Sequence, residues 1–381
     1  MRKLLLVGWL LAIAAVCANA QPAEWTIWDL GSEQSFPGDL VWMIDNSMFV
    51  SLYDPMTIAR FEPDNNRLLS WPMAVEPGEF VLTNSGLLFM MSRDAGIGWL
   101  QPDANYLEYF STPTAPASEP MFAMESRFGN GVENIWYMDW ATGRLGLFEP
   151  TVLQLPSEAG PEPQVIPLTS TSSTVLPTSE VVAVEILPGP GDLVPAIYIL
   201  EPQVTPSFRE WGLVTMDPPA YTFLEDNAGN VWVPDVVGQS ILSLDPETNT
   251  VSVYDLPTSL FITSLASIPD GNDIYFTAVE DDVRVVLGIL QPDTGDVALW
   301  EIPGGREVDA VRLQIVDDAI WFCDRGASAI YRFVPMYGEF TWWATGDIDD
   351  SPLYLVPGFP EEFWVSFEGT GKLARLRIQN E

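Results

Sequence analysis

Histidine is absent from all 381 residues, and cysteine occurs only twice, as Cys17 and Cys323. The first absence removes the commonest general base and the commonest nitrogen ligand for a metal. The second leaves no internal disulfide once the leader is gone, so stability must come from a packed core. Basic residues are scarce as well: 16 Lys and Arg stand against 53 Asp and Glu, a net charge of -37. Nucleic acid is therefore excluded as a partner, because phosphate binding needs a basic field. Past residue 16 there is no apolar run long enough for a membrane-spanning helix.

The one continuous apolar stretch lies at the front, in MRKLLLVGWLLAIAAVCANA. Two basic residues, an apolar run from Leu4 to Val16 and the small-x-small pattern Ala18-Asn19-Ala20 predict a signal peptide over residues 1–20. Lipidation at Cys17 and an uncleaved anchor are the alternatives. The expected product starts at Gln21 and is secreted or extracytoplasmic, in the periplasm or at the cell surface. Removing Arg2 and Lys3 leaves 14 basic residues against 53 acidic ones, a charge of -39. Such a balance suits a salty or acidic exterior or a cation-binding surface, and equally a solvated surface that repels its like.

What is present is a repeat. A short apolar strand ends near an acid, a second strand closes on a polar residue and proline, and an aromatic strand follows. The clearest copies are GNVWVPDVVGQSILSLDPETNTVSVYDLP, ending at Pro257, and NDIYFTAVEDDVRVVLGILQPDTGDVALWEIP, ending at Pro303. Aligned strands start at Phe49, Leu88, Ile135, Ile197, Val231, Ile274, Ile320 and Phe363. A period of about 40 to 50 residues built of short strands predicts an all-β fold, a β-propeller of four-stranded blades. Eight units are counted and, from their spacing of about 45 residues, eight blades are expected, with seven the alternative if the third and fourth units share one. The last unit lacks an outer strand, and EWTIWDL (Glu24 to Leu30) matches the missing one, so the N-terminal strand should complete the last blade and close the ring. Residues 21–381 thus read as a single propeller domain. The Pro/Ser/Thr-rich stretch 155–179 interrupts it as a long loop or a poorly formed outer strand.

The W-x-x-D/E, I-x-x-x-D-P-x-T and V-x-x-Y-x-L-P pattern of Trp232 to Pro257 resembles the repeats of the virginiamycin B lyase (streptogramin lyase) family of β-propellers. The resemblance implies a lyase that opens a cyclic depsipeptide by elimination, with a histidine base and a magnesium ion held by glutamates. Without histidine that base has no counterpart here, and no catalytic residue is carried over.

Each aligned strand is followed by an acid: Asp54, Asp94, Asp139, Glu201, Asp235, Glu280, Asp324 and Glu368. In a propeller these gather on one rim, where a hard cation, calcium or magnesium, can take several carboxylates at once. Asp139, Asp235 and Asp324 share the W-x-x-D spacing and are the candidate metal ligands. The alternative is that each acid caps its own turn. Trp136, Trp232, Trp321 and Trp364 sit at matching positions and are expected between blades. Trp140, Trp342 and Trp343 are the candidate aromatic contacts to a ligand or partner. Cys323 has no histidine to activate it and reads as core.

Three functions fit these residues. The first is an exported noncatalytic propeller binding a protein, glycan or small polar ligand through its loop face, with or without a divalent cation. The second is a metal-dependent lyase or lactonase-like hydrolase. The third is a structural component of the cell surface.

Overall fold

The computed structural model describes the chain from Ala23 to Ile378 except residues 31–35, 55, 102–105, 114–119, 127–132, 151–163, 168–169, 176–177, 182–183, 188–195, 200–202, 206–207, 214–221, 236–237, 257–259, 269–270, 281–283, 304–309 and 348. Among these residues no helix is long and apolar enough to cross a membrane.

Seven antiparallel sheets form a β-propeller of seven blades, so the alternative count holds. Blade 1 runs from Pro37–Trp42 outward to Arg67–Pro72, and blade 7 from Pro352–Pro357 through Glu362–Phe367 to Lys372–Ile378. Seven of the eight aligned apolar strands are the second strand of a blade, each preceded by the innermost strand on the channel. They are mostly apolar because both of their faces are covered. Met48–Leu52, Leu88–Ser92 and Glu362–Phe367 are buried at every residue.

Ring closure follows the expected route. Ala23–Asp29 lies antiparallel to Lys372–Ile378, with Ala23 opposite Ile378 and Asp29 opposite Lys372. It brings Trp25 into the core between blades 6 and 7, beside Trp321, Trp343 and Phe363. Trp28 packs on the other side, its ring centroid 5.4 Å from that of Trp364.

The count of eight came from Ile197–Ile199, which is not a blade's second strand. It belongs to a segment inserted between the third strand of blade 3, Arg144–Phe148, and the fourth, Phe208–Gly212. That segment travels round the outside as a fifth strand on successive blades. Gln164–Pro167 pairs with blade 1, Ser170–Val175 with blade 7 and Thr178–Val181 with blade 6. Val184–Leu187 then pairs with blade 5, Ala196–Ile199 with blade 4 and Gln203–Thr205 with blade 3. The stretch read as a loop or poor outer strand therefore contributes to outer strands on three different blades. Its physical effect is to satisfy backbone groups along six sheet edges that would otherwise be open.

Candidate functional site

The innermost strands begin at the channel mouth, the end of the blades where the W-x-x-D acids emerge. Several carry a register shift there: between Pro37 and Leu40 in blade 1, Val311 and Gln314 in blade 6, and Pro352 and Leu355 in blade 7. A bulge adds a residue to one strand and re-aims its side chain. In blade 6 that residue is Arg312, held at φ +44°, a left-handed backbone that few non-glycine residues adopt.

Re-aimed in this way, Arg312 reaches past blade 7 to two acids on other blades. Its Nη1 lies 3.0 Å from Asp39 Oδ1 of blade 1 and 3.2 Å from Glu79 Oε1 of blade 2. The guanidinium carbon sits 5.1 Å from the centroid of the Tyr354 ring. Both acids are buried and their other oxygens are used: Asp39 Oδ2 accepts from the Phe80 amide at 2.7 Å, and Glu79 Oε2 from the Ala123 amide at 3.0 Å. Each carboxylate thus stitches its own blade to the next while neutralising Arg312. Beside them, Tyr53, Glu76, Arg93, Phe122 and Tyr354 line a cavity of about 30 Å³, space for about one water.

One guanidinium serves two buried carboxylates, leaving the cluster one negative charge in excess. Burial, aided by the Asp39 charge, pushes Glu79 up to about 7 against the pull of Arg312. Asp39 is raised by burial too, with Arg312 and the Phe80 amide opposing. The Tyr53 phenol is raised by burial and by these acids.

A carboxyl raised in the folded state holds its proton where the unfolded chain has lost it. Its contribution to stability is complete below the unfolded value of 4.5 and is lost as pH rises through about 7. Over that window the cost is about 3 kcal/mol. Glu79→Gln is therefore expected to match the parent in urea unfolding at pH 5 and to exceed it in stability at pH 8. Parallel curves for the two proteins would show that Glu79 is ionised throughout.

Asp139, Asp235 and Asp324 stand on blades 3, 4 and 6, and each caps its own turn. Asp139 Oδ1 accepts from the Ala141 amide at 3.1 Å, Asp235 Oδ1 from Gly238 at 2.8 Å, and Asp324 Oδ1 from Ala327 at 3.0 Å. Among the described residues no three Asp, Glu or Cys come together as a metal-binding group. The rim acids Glu280 and Glu368 pair with Arg284 and Arg325, Asp54 is exposed, and Glu201 lies outside the described residues. Sequence reading missed Asp39, Glu79 and Arg312. Their only signal was an acid in the P-G-D and P-G-E starts of two innermost strands.

Of the aromatic candidates, Trp140 is half-buried beside Phe122, at 6.0 Å between centroids, close to the mouth. Trp342 is half-buried on the outer strand of blade 6 and stacks on Tyr331. Trp343 is core, 2% exposed and stacked on Trp321 at 5.4 Å. Trp136, Trp232, Trp321 and Trp364 are buried between blades. Cys323 is buried, and burial with the neighbouring Asp324 charge raises its thiol well above the ordinary value.

No family model matches this chain, and no curated protein matches it in sequence. Its architecture is found among solved structures. Virginiamycin B lyase from Staphylococcus aureus superposes with a TM-score of 0.65 at 11% identity, over 94% of this chain and 100% of that one. YCF48 bound to D1 peptide gives 0.58 at 9% identity, over 93% and 97%. The extracellular domain of the putative hybrid two-component system BT4673 from B. thetaiotaomicron gives 0.59 at 11% identity, over 91% of this chain and 41% of that one. At such identities the likeness is one of fold, and the resemblance read from the repeats holds at that level.

Proposed function

We propose that this chain is an exported, noncatalytic β-propeller that binds a protein, glycan or small polar ligand through the loops around its channel mouth. One observation carries the reading. The point where carboxylates converge at the mouth is taken by Arg312, so the charge a catalytic divalent ion would supply is built into the chain. For Asp139, Asp235 and Asp324 to bind calcium or magnesium together, each would have to leave its own turn. Trp140, beside the mouth, is the residue proposed to stack on the ligand. YCF48 with its D1 peptide is a precedent for peptide binding on this architecture, and the BT4673 domain for an extracellular setting. Lateral assembly through sheet edges is disfavoured by the belt that pairs with six of them.

A metal-dependent carbon-oxygen lyase is the second reading. In its favour stands Glu79, whose raised carboxyl would be a better base than one in water. Against it, both Glu79 oxygens are engaged, by Arg312 and by the Ala123 amide. The test is to incubate the protein with a streptogramin-type cyclic depsipeptide and magnesium and to look for the ring-opened product by mass spectrometry. No product is expected; turnover lost in Glu79→Gln would replace the binding reading with the lyase.

A further inference from the structure

The seven blades can be superposed through their cross-strand register, and one position in that register separates them. On the face each blade turns to the next, a large aromatic or tyrosine ring of the second strand stands opposite a third-strand residue. The pairs are Phe49 with Arg60, Phe89 with Trp99, Trp136 with Leu147, Trp232 with Ser243, Tyr275 with Ile289, Trp321 with Arg332 and Trp364 with Arg375. In blades 1, 6 and 7 the arginine lies over the ring, its guanidinium carbon 6.0 Å from Phe49, 5.8 Å from Trp321 and 5.6 Å from Trp364. An acid accompanies each of these cations: Asp45 pairs with Arg60, Glu362 lies 3.8 Å from Arg375, and Glu339 attracts Arg332. Blades 2, 3 and 5 fill the same wedge with Trp99, Leu147 and Ile289.

Blade 4 leaves the wedge open. Ser243 is too short to fill it, and the next residue outward in the register is another serine, Ser252. A cleft of about 370 Å³ opens between blades 4 and 5, at the end of the blade opposite Asp235. That volume lies within the roughly 300–1,000 Å³ of small-molecule sites. Trp232 and Tyr254, 5.2 Å apart between centroids, form its aromatic wall, and Asp226, Asp245 and Asp293 line it with no cationic residue among its walls. Ser243 is only 8% exposed, and it lines the cleft. Burial and the Asp293 and Asp226 charges raise the Tyr254 phenol, as expected for a pocket of negative potential.

We infer that the cleft between blades 4 and 5 binds an organic cation of the guanidinium or alkylammonium class, which takes the place that an arginine side chain fills in blades 1, 6 and 7. The half-buried Tyr254 ring, backed by the buried Trp232 it packs on, supplies cation-π attraction, the carboxylates supply charge, and Ser243 accepts a hydrogen bond from the cation. Anions are repelled by three aspartates. This site is independent of the channel mouth, and its ligand is either a free small cation or an arginine carried on a peptide.

The experiment is a fluorescence and calorimetric titration of the protein with N-acetyl-arginine amide, with N-acetyl-citrulline amide as the uncharged isostere. Saturable binding of the arginine derivative, weakened several-fold between about 50 and 500 mM salt, is expected, with none for citrulline. Ser243→Arg supplies the cation from within, so it should abolish binding and raise the melting temperature. Asp293→Asn should weaken binding about fivefold while leaving the fold intact, and it decides the matter if Ser243→Arg does not fold. A glycine-flanked arginyl peptide that binds tighter than the single residue identifies a peptide side chain as the ligand; equal affinity identifies a free cation. Absence of binding, equal binding of citrulline, or parental affinity in Asp293→Asn would overturn the inference.

Discussion

Replacing Arg312 with leucine is expected to cost about 3–5 kcal/mol of unfolding free energy at pH 8, because it strands two buried carboxylates without their cation. The loss should shrink toward pH 5, where Glu79, pushed up by burial, takes up a proton. Arg325→Leu is the matched control. Its partner Glu368 lies 3.3 Å away and both side chains are about one-third exposed, so the change should stay within about 1 kcal/mol. Urea unfolding at the two pH values measures both. Equal, pH-independent effects for the two variants would mean that the mouth cluster behaves as a surface ion pair.

Trp25→Ala is expected to cost about 3–5 kcal/mol, the usual range for emptying a fully buried tryptophan site. Trp25 belongs to the strand that joins the two ends of the chain, so the cavity opens at the ring's seam. Its backbone is paired on both sides, with Leu376 inward and Ser173 of the belt outward. Glu24→Ala, one residue earlier on the other face and half-buried, should change stability by about 0.5 kcal/mol or less. Comparable losses in urea unfolding for the two variants would mean that the closing strand carries no packed face.

The architecture was legible because it is written in local repeats. Turn prolines, the W-x-x-D acids and the matching outer strand Glu24 to Leu30 each report on a blade or on its neighbour. The belt left no such trace. Thr178 pairs with Trp342 and Ala196 with Val253, partners far off in sequence, and an outer edge asks only for backbone groups rather than for an apolar face. Ile197-Tyr198-Ile199 therefore looked like one more blade. The mouth cluster was hidden for a related reason. Arg312 meets Asp39 across 273 positions, through a bulge that no composition or period announces. The W-x-x-D acids, conspicuous in sequence, turned out to serve their own turns. The spacing that makes them recur in each blade is also what keeps each within reach of its own amides. The open wedge of blade 4 was visible only once register placed Ser243 where other blades have arginine.

The most direct test of a mouth whose cation is built in is the melting temperature of the protein at pH 8 with and without millimolar calcium or magnesium. A divalent ion bound at 100 times its Kd would add about 2.7 kcal/mol to the folded state. The account predicts no shift with either ion. A rise of several degrees, lost in Asp39→Asn or Glu79→Gln, would show that the carboxylates at the mouth take a metal and would contradict it.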